Sequence, residues 1–202
     1  MTMRTPEPIR KFADLFSELP GVGPRQSLRI ALYVIHKGRG FIDSVSTALN
    51  GLKSVRICRR CFNLYENEGD LCEICSSALR NMDVIAIVEK ETDLLSIEKT
   101  GRFNGRYLVI GDMRKAGILT SEQKIKLKSL EEEIKSLEGG KAKEIILALN
   151  PNPIGDVISS IIAEEIRPFS EKITRLGRGI PSGGEIEFAD EETLGESIIK
   201  RA

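Results

Sequence analysis

The chain has 202 residues, 41% apolar and 30% charged, a balance that fits a globular protein of one to two domains and excludes a disordered or fibrous one. No apolar run approaches the roughly 20 residues needed to span a bilayer, and Met1 to Pro8 has no apolar stretch behind its charges, so a cytoplasmic protein is expected. The zero net charge hides a division: residues 1–60 hold 11 Lys/Arg against 4 Asp/Glu, a net of +7, and residues 61–202 hold 19 against 26, a net of −7.

Ile9 to Leu19 places Phe12, Leu15, Phe16 and Leu19 at the i, i+3, i+4, i+7 spacing of a helix face. Pro20-Gly21-Val22-Gly23-Pro24 ends that helix. Leu28, Ala31, Leu32 and Ile35 then repeat the spacing, and Phe41 to Val55 repeats it again, so three short helices are expected. Glycines without Cβ let a turn backbone lie against a phosphate, and the next helix offers its open N–H groups and dipole to the anion. Gly21 and Gly23, with Arg25 and Arg29 one turn apart on the following helix, are therefore candidate DNA-binding residues. A tight connection between two helices on a solvated basic surface would look the same in composition.

Cys58, Cys61, Cys72 and Cys75 form two C-x₂-C knuckles ten residues apart. Two such pairs supply the four sulfurs of a tetrahedral Zn²⁺ site with no open position, so one structural zinc per chain is expected. Arg56, Arg59 and Arg60 would offset the charge of four thiolates.

Beyond the cysteines the period changes. Val84–Val88, Tyr107–Ile110 and Ile145–Leu149 are short apolar runs, alternating with helical stretches at Thr92–Lys99, Ser121–Glu138 and Val157–Ile166, and a weaker strand is expected at Lys172–Leu176. This alternation predicts an α/β fold with a parallel sheet and helices on both faces. Glu89, Asp112 and Asp156 each follow a strand, where they could gather as an acidic edge able to take Mg²⁺. Equally, Asp156 could cap the next helix and Glu89 could begin one. His36 is the single histidine and has no evident carboxylate partner, which leaves a Ser-His-Asp relay without foundation.

The order of these parts resembles the RecR family of bacterial recombination mediators over nearly the whole chain. The resemblance is carried by Leu19-Pro20-Gly21-Val22-Gly23-Pro24, the cysteine set, Glu98 to Tyr107, Asn150-Pro151 and Gly179 to Glu187. It implies a helix-hairpin-helix DNA-binding module at 1–56, a four-cysteine zinc finger at 57–80, a Toprim domain at 81–176 and a C-terminal assembly arm at 177–202. It also implies a non-catalytic protein that forms dimers and tetrameric rings, binds DNA largely without regard to sequence, and acts with RecO and RecF to load RecA on gapped or single-stranded DNA. Two segments depart from the family's pattern: Gly111 to Gly117, and Asn152 to Ile158, where Ile154 stands in place of a glutamate and reduces the acidic edge. A Toprim-type DNA-processing enzyme and a zinc-stabilised adaptor that binds only proteins are the competing functions. Assembly surfaces are expected at Phe12, Leu15 and Phe16, and at Ile180, Ile186, Phe188 and Leu194 of the arm.

Overall fold

A computed structural model describes residues 5–113, 118–177, 179–199 and 201. The chain divides into two compact units, Met1–Val55 and Arg56–Ala202.

The first unit is helical: α1 (Glu7–Phe16), α2 (Pro24–His36) and α3 (Arg39–Gly51). Proline in the first turn starts α1 and α2, where its missing N–H costs nothing. Gly21 adopts φ +78, the left-handed region that favours glycine, and Val22 N–H closes the turn onto the Leu19 carbonyl at 3.0 Å. Phe12 and Phe16 stack with centroids 3.9 Å apart. With Ile9, Val34, Ile35 and Val45 they line an apolar groove of about 360 Å³, while Leu15 on its rim is 63% exposed. Three short helices thus leave apolar surface open.

In the second unit, β1 (Arg56–Ile57) and β2 (Leu64–Tyr65) form an antiparallel pair, followed by α4 (Glu73–Ser76). Then come β3 (Val84–Val88), α5 (Glu91–Glu98), β4 (Arg106–Val109), α6 (Ser121–Lys135), β5 (Glu144–Ala148), α7 (Pro153–Ile166), β6 (Ile173–Arg175) and α8 (Glu191–Ile199). The four strands of the main sheet are parallel in the order β4-β3-β5-β6. Strand alternation sorts the core into two layers. Ile85, Ile87, Leu108, Ile145 and Leu147 pack with Leu127 and Ile134 of α6 and Ile158 and Ile162 of α7. Ala86, Val88, Tyr107, Val109 and Ala148 pack with Leu94 of α5 on the opposite face. Helices therefore cover both faces, as the alternation predicts.

Residues 114–117 of the divergent segment, and Arg178, Lys200 and Ala202 of the arm, lie outside the described residues. In the described arm, Ile186 and Phe188 are 68% and 78% exposed, whereas Ile180 and Leu194 are half-buried. Among the described residues no helix is long and apolar enough to cross a membrane.

A polar knot joins Arg80 to α5 and β4. Arg80 Nη1 donates to Glu98 Oε1 at 2.9 Å and to the Phe103 carbonyl at 3.2 Å, its Nη2 donates to Glu98 Oε2, and Tyr107 Oη donates to Glu98 Oε1 at 2.7 Å. The Arg80 guanidinium holds the Glu98 carboxyl below its ordinary range, with a further contribution from Tyr107. A carboxylate with a depressed folded-state pKa stabilises the fold above its unfolded value, about 4.3, and this stability is lost as pH falls through the folded value. Wild type is therefore expected to lose stability more steeply below about pH 4.3 than Glu98→Gln. Denaturant unfolding at a series of pH values checks this, and parallel curves for the two proteins would contradict it.

Candidate metal centre and nucleic-acid interface

The four cysteine side chains are buried and their sulfurs all lie within 4.8 Å of one another. A tetrahedron with Zn–S bonds of about 2.3 Å has sulfur–sulfur edges of about 3.8 Å, and Cys61 Sγ to Cys72 Sγ spans 3.5 Å. Hydrogen bonds to neighbouring sulfurs push the Cys61 thiol far up and draw Cys72 down, so crowded sulfur alone favours a shared proton over four thiolates. A central divalent cation reverses that preference by stabilising every thiolate. The set fits one Zn²⁺ held by Cys58, Cys61, Cys72 and Cys75. All four positions are protein sulfur, so the ion is structural.

Local geometry delivers the sulfurs. Cys58 N–H and the Asn63 carbonyl meet at 2.8 Å, Phe62 N–H and the Cys58 carbonyl at 2.9 Å, and Cys72 N–H donates to Cys58 Sγ at 3.3 Å. Of the arginines expected to offset thiolate charge, Arg59 lies 3.6 Å from Asp70, and Arg60 Nη1 donates to the Cys75 carbonyl at 3.0 Å.

The three carboxylates expected at the sheet edge are not brought together. Among the described residues, the cysteines are the one group of three or more Cys, His, Asp or Glu side chains close enough to share an ion. The carboxylates of Glu89 and Asp156 are bonded to other partners. Glu89, buried at the end of β3, accepts from Asn150 Nδ2 at 2.5 Å and faces Lys90 Nζ at 3.5 Å. Asp156, in the first turn of α7, accepts from Arg175 Nη1 at 3.0 Å. Asp112 is exposed, and its backbone carbonyl accepts from Gln123 Nε2 at 3.1 Å. Ile154 and Glu89 share the lining of a cavity of about 90 Å³, so an apolar side chain stands where a further oxygen ligand would be needed. The cap of α7 is Asn152, whose Oδ1 accepts from Gly155 N–H at 2.9 Å, and not Asp156.

In the helical unit, Gly23 is the N-cap of α2 with φ −86 and no side-chain cap bond. A Cβ added at Gly21 or Gly23 would meet nothing within 4 Å. Arg25 and Arg29 are exposed on α2. The first-turn N–H groups of α2 thus lack the side-chain acceptor that Ser, Asp or Asn would supply, and two guanidiniums stand on the same helix.

Sequence reasoning missed the Arg80–Glu98–Tyr107 knot and the Asn150–Glu89 bond. Both join residues far apart in the chain, and only the clustering of Glu98 to Tyr107 hinted at the first.

A parallel α/β sheet carrying a sulfur-only zinc finger, with α8 appended, defines a zinc-stabilised Toprim protein. The chain matches a Toprim domain over residues 83–177, the RecR four-cysteine zinc finger domain over 55–77 and the RecR C-terminal region over 179–201. It is 38% identical over 202 residues to a recombination protein RecR of Thermus thermophilus, covering 98% of each chain. It is also 36% identical over 198 residues to that of Herpetosiphon aurantiacus, covering 98% of this chain and 95% of the relative. With the recombination protein RecR of Rubrobacter xylanophilus it shares 38% identity over 193 residues, 95% of this chain and 94% of the relative. The chain belongs to the RecR family of recombination proteins.

Proposed function

We propose that this chain is a non-catalytic mediator of recombinational DNA repair that grips DNA through the α1–α2 hairpin and acts with RecO and RecF to load RecA on gapped or single-stranded DNA. The observation that carries the DNA contact is the uncapped N-terminus of α2. Gly23 sits where a capping Ser, Asp or Asn would be worth about a few tenths of a kcal/mol, no neighbouring atom requires glycine there, and Arg25 and Arg29 are exposed on the same helix. Such a surface favours phosphate oxygens and reads no base.

A non-catalytic role is supported by the sheet edge. Two-metal phosphoryl transfer needs carboxylates that bridge ions about 4 Å apart, and here Glu89 and Asp156 are bonded to Asn150 and Arg175. Residues 1–56 would bind DNA, 57–80 and 81–176 would form the zinc-stabilised body, and 177–202 would assemble the ring. The groove beside Phe12 and the exposed Ile186 and Phe188 are apolar surfaces of the kind that subunit contacts cover.

RecA filament formation on gapped DNA coated with single-strand-binding protein tests this reading. With RecO present, adding the chain is expected to speed filament growth in proportion to its concentration. Growth unaffected by the chain, with zinc-loaded and folded protein, would overturn it.

A further inference from the structure

β4 is an edge strand, with β3 on one side only. Ile110 N–H donates inward to the Val88 carbonyl at 2.9 Å, so by the two-residue alternation of a strand the N–H of Val109 points out of the free edge. It is not left open. Val109 N–H donates to the carbonyl of Cys61, inside the first zinc knuckle, at 2.8 Å.

The residues beside the cysteines reach around that edge. Phe62 adopts φ +61, the single positive φ among described residues other than glycine, a conformation that persists only where its surroundings enforce it. Its side chain packs against the core layer of α6 and α7, with Lys126 Nζ 5.4 Å from the ring centroid. Ile74, between the cysteines of the second knuckle, packs against the opposite layer with Val88, Leu94, Tyr107 and Val109. One knuckle therefore grips each face of the sheet. Arg60 ties them together: its Nη1 donates to the Cys75 carbonyl at 3.0 Å, and its Nε lies 3.4 Å from Glu133 Oε2 of α6. The same carboxylate oxygen accepts from Arg106 Nη1 of β4 at 2.9 Å.

We propose that the finger is a metal-locked clasp on the free edge of the Toprim sheet: the Cys61 carbonyl closes the edge, Phe62 and Ile74 hold its two faces, and zinc occupancy sets whether the edge is covered. Zinc joins the two knuckles through all four sulfurs at once. Without it each knuckle is a short loop, and an uncovered edge strand is a template for pairing with a strand of a second copy.

Amide hydrogen exchange of the full-length, zinc-loaded chain tests the clasp, because two adjacent amides report on opposite sides of β4. In Phe62→Leu and Ile74→Ala, Val109 N–H is expected to exchange about tenfold faster or more than in wild type, while Ile110 N–H, bonded inside the sheet, changes far less. Zinc transfer to a chelator should quicken in the same variants. Ile74→Val, which removes one carbon and leaves the fold intact, should show the same split in smaller measure. Equal acceleration of both amides, or no change in either, overturns the proposal, since the finger would then open together with the sheet or independently of it.

Discussion

Cys61→Ala is expected to release zinc and unfold the segment from Arg56 to Ser76. The buried cluster of the finger consists of the four cysteines, with Tyr65, Leu71 and Ile74 only partly buried against them. That is too little apolar surface to fold so short a segment unaided. Structural zinc contributes about 10–16 kcal/mol of binding free energy, comparable with the entire stability of an ordinary domain, about 5–15 kcal/mol. Cys61 also supplies the carbonyl that caps Val109, so the loss reaches β4. Metal analysis should fall from one ion per chain to a small fraction, and denaturant unfolding should show a loss of about 3 kcal/mol or more. A variant that keeps a full equivalent of zinc, or wild-type stability without it, would contradict the account of the site.

Gly155→Ala is expected to cost about 2–3 kcal/mol, because an alanine Cβ there would lie 2.0 Å from the Asn150 carbonyl oxygen. A backbone oxygen in the link between β5 and α7 cannot swing aside as the end of a side chain can. The entropy that alanine removes from the unfolded chain, about 0.4–1 kcal/mol, opposes the clash without cancelling it. Movement of Asn150 would also disturb its hydrogen bond to Glu89. Denaturant unfolding should show the loss, and an unchanged midpoint would mean that the loop relaxes freely.

What was legible in the sequence follows from where each signal originates. Val84–Val88 is recovered residue for residue, since a strand buried on both faces is written as an unbroken apolar run. Ile145–Leu149 is shifted by one because β5 begins at Glu144, whose carboxylate accepts from Thr174 Oγ1 at 2.8 Å, a contact hydropathy cannot register. α7 begins at Pro153, four residues before the first apolar residue considered, and its start was written in Asn152-Pro153 as a cap followed by proline. No helix is expected in the arm, where α8 spans Glu191–Ile199. Its signal was Asp190 three residues before Thr193, whose N–H donates to Asp190 Oδ1 at 2.9 Å. The zinc site was legible because its four ligands sit at fixed local spacings. At the acidic edge the sequence left two readings open, because position after a strand does not specify a carboxylate's partner, and Asn150 and Arg175 lie 61 and 19 residues away in sequence from Glu89 and Asp156.

The central claim, that the α1–α2 hairpin holds DNA by its phosphates, is tested most directly by the salt dependence of binding. Affinity for single-stranded and gapped DNA of several unrelated sequences should be measured across a salt series for wild type and for Arg25→Ala/Arg29→Ala. Each phosphate contact removed lowers the slope of log K against log salt by about 0.7–0.9. The double variant should therefore flatten the slope by about 1.4–1.8 and weaken binding equally for every sequence. An unchanged slope, or a loss confined to one sequence, would contradict the account.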